Sequence, residues 1–285
     1  MIPELSELDG WLSASEIAVG GVRAGCTKQV IWANGVQKTP VSVVYVHGFS
    51  ATGAEVRPLP DLLAKALGAN LYFARLAGHG QDGVAMGKAR CADWDADTVE
   101  ALEIGAALGD EVIVMGCSTG CTLLTTALAQ GVNVKGIVHL SPNYGLRHVL
   151  AHALLQMPAV RHWGPLIVGR ERTFEAISDD HAALWTLKYD TQAVFTMADA
   201  VRAAMGSPIE RIKTPAYFAF GETDQVVSPK KTRRVMARWG GAVTQDILVQ
   251  GPTDDKMGHV MAGDVFSPGQ TEPLATRIIA WARRL

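Results

Sequence analysis

Short β-branched apolar runs alternate along the chain with longer segments in which apolar residues recur every three to four positions. The runs have the length of strands and occupy residues 16–19, 29–32, 41–46, 70–74, 111–115, 136–140, 216–220 and 244–249. Helical spacing occupies residues 55–67, 95–108, 121–129, 230–239 and 271–284. This alternation predicts the α/β fold class, with a mainly parallel eight-stranded sheet flanked by helices on both faces. Residues 1–14 are expected to be a loosely attached lead-in.

The alternation of strands and helices lapses between residues 143 and 208. This stretch has helical patterning and carries four large aromatic residues, namely Trp163, Phe174, Trp185 and Phe195. Ligands of parallel sheets bind at the carboxyl ends of the strands, so residues 143–208 are expected to form an inserted helical cap, or lid, above those ends. Residues 1–142 and 209–285 then form the core. Most of the aromatic residues should belong to the lid's own core, and one or two that face the cleft would make an apolar acyl pocket.

Composition narrows the classes of protein to which the chain can belong. Apolar residues make up 48% of the sequence, and the formal net charge is −2. This balance gives no electrostatic reason to expect a nucleic acid or an anionic membrane as a partner. No apolar run approaches membrane-spanning length, and the acidic N-terminal residues do not resemble a signal peptide. The four cysteines have neither metal-ligand spacing nor the density of a disulfide scaffold, so a cytoplasmic protein without stable membrane insertion is expected.

One motif, Gly116-Cys117-Ser118-Thr119-Gly120, lies between a predicted strand and a predicted helix. Strand, G-x-S-x-G and helix together are the context of a nucleophile elbow. Such a turn holds the serine in a strained conformation, and small residues on either side let the strand and helix approach closely. Ser118 is therefore the candidate nucleophile. Cys117 is rejected, because a motif centred on it would need glycine at positions 115 and 119.

A serine nucleophile needs a base that takes its proton and an acid that orients the base. In this arrangement the acid follows the serine along the chain. Asp224 lies in the loop after the predicted strand 216–220 and is favoured as the acid. Glu222 is the alternative, but its position beside the strand end is more typical of a turn or surface group.

The base should follow the acid, and His259 is the only histidine after His181. It lies on the loop after the predicted strand 244–249, where the base of such a site is expected. Asp254 and Asp255 come shortly before it and could replace Asp224 as the acid. We interpret them instead as solvated loop charges.

An oxyanion formed at the serine needs two preorganised N–H donors. The backbone N–H of Thr119 follows the nucleophile directly, and the N–H of Phe49 comes from the loop after the predicted strand 41–46. His47 is expected to brace that loop through hydrogen bonds. His148 and His152 have an i, i+4 spacing that can bind a metal, yet no third ligand is evident, so no metal site is predicted.

These motifs together resemble the α/β-hydrolase superfamily and, within it, the capped carboxylesterase and monoacylglycerol-lipase-like branch. The resemblance spans nearly the whole chain. Its carriers are His47-Gly48-Phe49, Gly78-His79-Gly80, Gly116-Cys117-Ser118-Thr119-Gly120, Gly221-Glu222-Thr223-Asp224 and Gly258-His259. The resemblance implies Ser118 as nucleophile, Asp224 as acid, His259 as base, and Phe49 and Thr119 as oxyanion donors.

The expected function is hydrolysis of small to medium acyl esters or monoacylglycerols through an acyl-enzyme, without a metal or organic cofactor. The same three side chains could instead serve thioester, lactone or C–C bond hydrolysis, or acyl transfer. A receptor that binds a ligand without turnover is a further alternative. Epoxide and haloalkane hydrolysis are disfavoured, because both would use an aspartate where Ser118 stands. The expected partner is a small-molecule ester, and a homodimer is compatible with the sequence.

Overall fold

Residues 2–285 are described by the computed structural model, and their strands form one large and one small sheet. The strands are β1 Gln29–Ile31, β2 Thr39–Val46, β3 Asn70–Phe73, β4 Gly109–Cys117, β5 Gly136–Leu140, β6 Glu171–Thr173, β7 Lys188–Asp190, β8 Ala216–Gly221 and β9 Val243–Leu248. Seven of them form the main sheet in the order β1-β3-β2-β4-β5-β8-β9. All neighbours in this sheet are parallel except β1, which is antiparallel to β3. The predicted α/β class with a mainly parallel sheet is confirmed.

The helices cover both faces of the main sheet. They are α1 Leu5–Val19, α2 Leu59–Leu67, α3 Gly83–Lys88, α4 Cys91–Leu108, α5 Thr119–Ala129, α6 Val149–Leu155, α7 Val160–Val168, α8 Asp179–Leu184, α9 Gln192–Gly206, α10 Pro229–Arg238 and α11 Pro268–Ala282. Side chains alternate between the two faces along each strand. In β2, Val44 packs into the core beneath α4, α5 and α9, and Val43 packs into the core beneath α2 and α11.

The main sheet has seven strands and not the predicted eight, because residues 16–19 are the end of helix α1. The apolar run in these residues has the alternation of a strand, but it continues a helical face on which Leu8, Leu12 and Glu16 are buried. The Glu16 carboxylate pairs with the buried Arg75 guanidinium at 2.8 Å. The expected loose lead-in at residues 1–14 is wrong for the same reason, since Leu8 and Leu12 belong to the core.

The register of the central strands brings several loops to one edge of the sheet. Strand β4 lies between β2 and β5, with Val46 opposite Gly116 and Cys117 opposite Leu140. Strands β8 and β9 continue the parallel order beyond β5. The loops that follow β2, β4, β8 and β9 therefore leave the sheet on the same side, where parallel sheets bind ligands.

Residues 143–208 contain four helices, as the patterning predicts, and also the small antiparallel sheet of β6 and β7. The helical patterning did not indicate this small sheet, because the three residues of β6 are all exposed and form no apolar pattern. Helix α9 packs against α4 and α5, and its Phe195 is buried in the main core. We therefore propose that the lid is residues 143–191 and that α9 belongs to the core.

One buried histidine in β5 gives the fold a dependence on pH. His139 stacks on Phe218 with ring centroids 4.3 Å apart and meets the edge of Trp239 at 5.3 Å. Its Nε2 atom has no hydrogen-bond partner among residues 2–285. Burial lowers the pKa of His139 to about 3, because the charged imidazolium loses its hydration.

We expect the free energy of unfolding of the His139→Phe variant to fall less steeply at acid pH than that of the wild type. The pKa of His139 in the folded state lies below the unfolded value of about 6.5. Between these two pKa values the unfolded chain therefore binds a proton at His139 that the folded chain does not bind. Stability contributed by neutral His139 is complete above pH 6.5 and is lost as pH falls towards 3. Between pH 6 and pH 5 the wild type should lose about 1 kcal/mol more unfolding free energy than the variant. Urea titrations at both pH values measure this difference. Equal losses in the two proteins would contradict the assignment of this pH dependence to His139.

No helix within residues 2–285 has the length and apolar character needed to cross a membrane. The segment with the most exposed apolar side chains is the lid, where Val149, Leu150, Leu166 and Ile167 are each more than half exposed.

Candidate active site

Ser118 occupies a sharp turn between β4 and α5. Its backbone has φ 47° and ψ −110°, a conformation that costs a non-glycine residue about 1–3 kcal/mol. The turn closes because the flanking residues are small. A Cβ at Gly116 would lie 2.7 Å from the Cys121 nitrogen, and one at Gly120 would overlap the Val46 carbonyl oxygen. The strand, turn and helix predicted around Ser118 are thus present.

Three predicted side chains from distant loops meet at this turn. Ser118 Oγ lies 3.0 Å from His259 Nε2, and His259 Nδ1 lies 2.9 Å from Asp224 Oδ2. With the Nδ1–H tautomer, His259 donates to Asp224 and its Nε2 accepts the Ser118 hydroxyl proton. The loops after β4, β8 and β9 supply one residue each, so the parallel order of the sheet creates the cluster.

Asp224 is buried, and its carboxylate is fixed by the backbone of its own loop. Oδ1 accepts the N–H groups of Val226 at 2.8 Å and Val227 at 2.9 Å, which leaves Oδ2 for His259. Glu222, the alternative acid, is half exposed and forms an ion pair with Arg233 on α10. The structure therefore brings Asp224, and not Glu222, to the histidine.

The electrostatic surroundings of His259 suit a general base. Burial works to lower the pKa of this imidazole, but the charge and hydrogen bond of Asp224 oppose burial, with help from Glu55 and Asp255. The balance raises the pKa of His259 above its ordinary value. A histidine with such a pKa holds a proton more firmly once it has taken one from a hydroxyl.

Asp255 contradicts the interpretation of a solvated loop charge. Its side chain is buried and accepts three backbone N–H groups, those of Met257 at 3.0 Å, His259 at 2.8 Å and Val260 at 2.9 Å. Asp254 is also buried, and it accepts the N–H of Gly251 at 2.6 Å. Both carboxylates shape the loop that presents His259. Sequence reasoning missed this role, because a carboxylate that caps its own loop has the same sequence pattern as a solvated one.

The predicted oxyanion donors are the backbone N–H groups of Thr119, which follows Ser118 directly, and of Phe49, which lines the same cavity as Ser118. Thr119 begins α5, so its N–H has no acceptor within the helix. The N–H of Phe49 makes no hydrogen bond with any residue between 2 and 285. The loop that carries Phe49 is braced by His47, whose Nδ1 donates to the Gly48 carbonyl at 2.8 Å and whose Nε2 accepts the Leu76 N–H at 3.1 Å. His47 thus has the predicted bracing contacts.

A cavity of about 690 Å³ opens above Ser118 and His259. Its walls are mainly apolar and come from both the core and the lid. Phe174, Trp185 and Tyr189 are lid residues, and Phe49 and Phe266 are core residues. Trp185 meets Phe266 at 5.2 Å, and Phe49 meets Tyr189 edge-on at 5.2 Å. Of the four lid aromatics noted in the sequence, Phe174 and Trp185 line the cavity, whereas Phe195 lies in the main core.

The remaining histidines and the cysteines lie outside the cluster. His148 caps α6 by accepting the Ala151 N–H at 3.2 Å, and His152 contacts Lys231 of α10. Among residues 2–285 no three metal-ligating side chains come together. All four cysteines are free, and Cys117 and Cys121 are fully buried. Burial raises the pKa of the Cys117 thiol well above its ordinary value, so this thiol is a poor nucleophile.

The chain matches one family model and a curated lipase. A family model described as the alpha/beta hydrolase family matches residues 43–267. The thermostable monoacylglycerol lipase of Bacillus sp. (strain H-257) is 28% identical over 196 residues, which are 67% of this chain and 73% of that protein.

Solved structures of lipolytic proteins have a similar fold. A structure from work on the metagenome-derived lipolytic enzymes LipS and LipT matches with a TM-score of 0.75 at 20% identity, over 93% of this chain and 100% of that one. The monoacylglycerol lipase of Paleococcus ferrophilus matches with a TM-score of 0.62 at 17% identity, over 90% and 97% of the two chains. At such identities the likeness concerns the fold.

Proposed function

This chain belongs to the α/β hydrolase family, and we propose that it hydrolyses carboxylic esters through an acyl-enzyme on Ser118. The proposed substrates are small to medium acyl esters or monoacylglycerols. The observation that carries the proposal is the continuous hydrogen-bonded chain from Ser118 through His259 to Asp224, with distances of 3.0 and 2.9 Å, beneath an apolar cavity.

In the first half of the proposed reaction, His259 Nε2 takes the Ser118 proton as Oγ attacks the ester carbonyl carbon. The carbonyl oxygen becomes an oxyanion and accepts the N–H groups of Phe49 and Thr119. The imidazolium then gives its proton to the leaving alkoxide, and the C–O bond of the ester breaks. The products are an alcohol and an acyl-Ser118 ester.

In the second half, water replaces the alcohol. His259 takes a proton from water as its oxygen attacks the acyl carbon, and the same two N–H groups hold the second oxyanion. The imidazolium returns the proton to Ser118 Oγ as the acid leaves. Throughout both halves Asp224 keeps its proton-free form, holds the His259 tautomer and stabilises the imidazolium.

The walls of the cavity support an acyl chain as the recognised group. An alkyl chain gains about 0.8 kcal/mol for each methylene that leaves water, and Phe174, Trp185, Tyr189 and Phe266 offer the surface for it. The similarity to the Bacillus monoacylglycerol lipase supports the same substrate class. The lid is hydrogen-bonded to the loop after β2 that carries Phe49 (the oxyanion loop), since the Thr186 N–H donates to the Ser50 carbonyl at 2.8 Å. We propose that the lid residues which line the cavity set the acyl length.

A substrate panel tests the proposal against the other reactions that these side chains could perform. The panel contains nitrophenyl esters of increasing acyl length, monoacylglycerols, acyl thioesters, lactones and β-diketones. The highest kcat/KM should fall on an ester, with many turnovers per protein molecule. A tenfold preference for a thioester, lactone or β-diketone would reassign the reaction, and tight binding without turnover would indicate a receptor.

A further inference from the structure

Glu55 is a buried carboxyl group that has no part in the proposed reaction steps. It lies in the loop between β2 and α2, is only 3% exposed, and lines the same cavity as Ser118 and His259. Burying a carboxylate costs free energy unless hydrogen bonds and charges compensate. Burial also raises the pKa of Glu55, because the ionised carboxylate loses its hydration. Buried titratable groups in a cleft are concentrated at functional sites.

The hydrogen bonds of Glu55 reach the proposed oxyanion loop. Oε2 accepts the Gly48 N–H at 2.7 Å and the Tyr45 hydroxyl at 2.8 Å. Gly48 directly precedes Phe49, whose N–H is one of the two proposed oxyanion donors. A fixed Gly48 amide limits how the next peptide group can turn, so the Glu55 carboxylate controls the direction of the Phe49 N–H.

Glu55 is also a close neighbour of the nucleophile. A Cβ built on Gly48 would lie 2.7 Å from Glu55 Oε1 and 3.2 Å from Ser118 Cβ. The carboxylate and the Ser118 side chain therefore border the same small space, which only glycine leaves open. A side chain at position 48 would push the carboxylate away from the site.

Glu55 and His259 interact electrostatically. The titratable groups that face Glu55 are Tyr45 on β2, Cys117 at the end of β4, Cys121 on α5, and His259 on the loop after β9. Its negative charge favours a proton on His259.

Two further carboxylates act on the same imidazole. Those of Asp224 and Asp255 also raise the His259 pKa, against the opposing effect of burial. Glu55 differs from both in position, since it approaches from the loop that follows β2 and not from the loops that follow β8 and β9.

We propose that Glu55 is a positioning residue that fixes the Gly48–Phe49 turn and stabilises the imidazolium of His259. This inference rests on the proposed function. When Ser118 gives its proton to His259, an ion pair forms between imidazolium and oxyanion, and Glu55 acts on both: by charge on the imidazolium, and through the Gly48 N–H on the donor to the oxyanion.

Glu55→Gln separates the two effects, because the amide oxygen still accepts the Gly48 N–H while the negative charge is removed. We expect the acid limb of kcat/KM on a nitrophenyl ester to move to lower pH by about half a unit or more. We expect kcat to fall about tenfold with KM within twofold, since the loss concerns the transition state. Titration of His259 by NMR in the absence of substrate should show the same shift.

Asp97→Asn is the matched control. Asp97 is another loop-anchoring carboxylate, which accepts the Ala77 N–H at 2.6 Å, but it is not among the groups that act on the His259 pKa. This variant should lose thermal stability and keep the acid limb of the wild type. A Glu55→Gln protein with an unchanged His259 titration and unchanged kcat would overturn the inference.

The NMR titration of His259 needs no substrate, so it tests the role of Glu55 independently of the proposed function. If the wild type hydrolyses no ester, the proposed function fails, while the His259 titration still tests the charge of Glu55. If Glu55→Gln does not fold, Glu55→Asp replaces it, because the shorter side chain keeps the charge but cannot reach the Gly48 N–H at the same distance. Its kcat should fall while the acid limb stays in place, and an unchanged kcat would contradict the anchoring role.

Discussion

Ser118→Ala is expected to reduce kcat for ester hydrolysis by about 10⁴-fold or more. Without the hydroxyl no acyl-enzyme can form, and only the oxyanion donors and the cavity remain to assist direct attack by water. The fold should persist, because the strain at φ 47° is carried by the backbone turn and alanine has the same Cβ as serine. Steady-state kinetics on the best ester of the panel measures the loss, with circular dichroism to verify folding.

Cys117→Ser is the matched control for this variant. Cys117 is the neighbouring thiol of the same turn, ends β4 and is fully buried. Its replacement should leave kcat within about threefold of the wild type. A Ser118→Ala protein that keeps more than a hundredth of the activity, or a Cys117→Ser protein that loses it, would show that another group attacks the ester.

Asp224→Asn is expected to lower kcat by roughly 10³–10⁴-fold. The asparagine side chain cannot stabilise the imidazolium, and its amide favours the tautomer of His259 with the proton on Nε2, which cannot accept the Ser118 proton. Because the charge of Asp224 raises the His259 pKa, the remaining activity should persist to lower pH than in the wild type. A pH profile of kcat/KM measures both effects.

Glu222→Gln gives the control for the acid, since Glu222 is two residues away and was the alternative in the sequence. Its half-exposed side chain pairs with Arg233 on the surface, where such a pair contributes about 0–1 kcal/mol. Activity should stay within twofold of the wild type. Similar losses in Asp224→Asn and Glu222→Gln would contradict the assignment of the acid.

The parts of the fold that follow local patterns could be predicted from the sequence. The runs in β2, β4, β5 and β8 are short, apolar and bounded by turn residues, and such buried strands have few alternatives. The Ser118 turn could be found because its small residues, strand and helix are contiguous in sequence. Asp224 and His259 could be predicted because they follow Ser118 in the expected chain order, on loops that come directly after predicted strands.

The errors occurred where distant contacts decide the structure. The apolar run at residues 16–19 matches a strand pattern, but contacts made elsewhere favour the helix: Leu8 and Leu12 pack into the core, and Glu16 pairs with Arg75, far along the chain. Strands β6 and β7 have three residues each and almost no buried side chain, so the sequence carries no signal for them.

The roles of Asp255 and Glu55 depend on burial, which a single loop residue does not reveal. The sequence predicts a solvated loop charge at Asp255 and the start of a helix at Glu55, yet both residues accept backbone N–H groups of the loops that carry site residues. Asp255 lies four residues before His259, where a carboxylate can accept the N–H groups of its own loop, but a solvated aspartate at that position has the same sequence pattern. For Glu55 the bond to Gly48 spans seven residues, and no local turn pattern predicts it.

The central claim is that His259 activates Ser118 as the nucleophile, and covalent labelling tests it most directly. A fluorophosphonate reacts with an activated serine and leaves a stable phosphonyl ester. Digestion and mass spectrometry of the labelled protein should locate a single adduct on Ser118, with the labelling rate greatly reduced in a His259→Gln variant. Absence of an adduct on the folded wild type, or an adduct on another residue, would contradict the account.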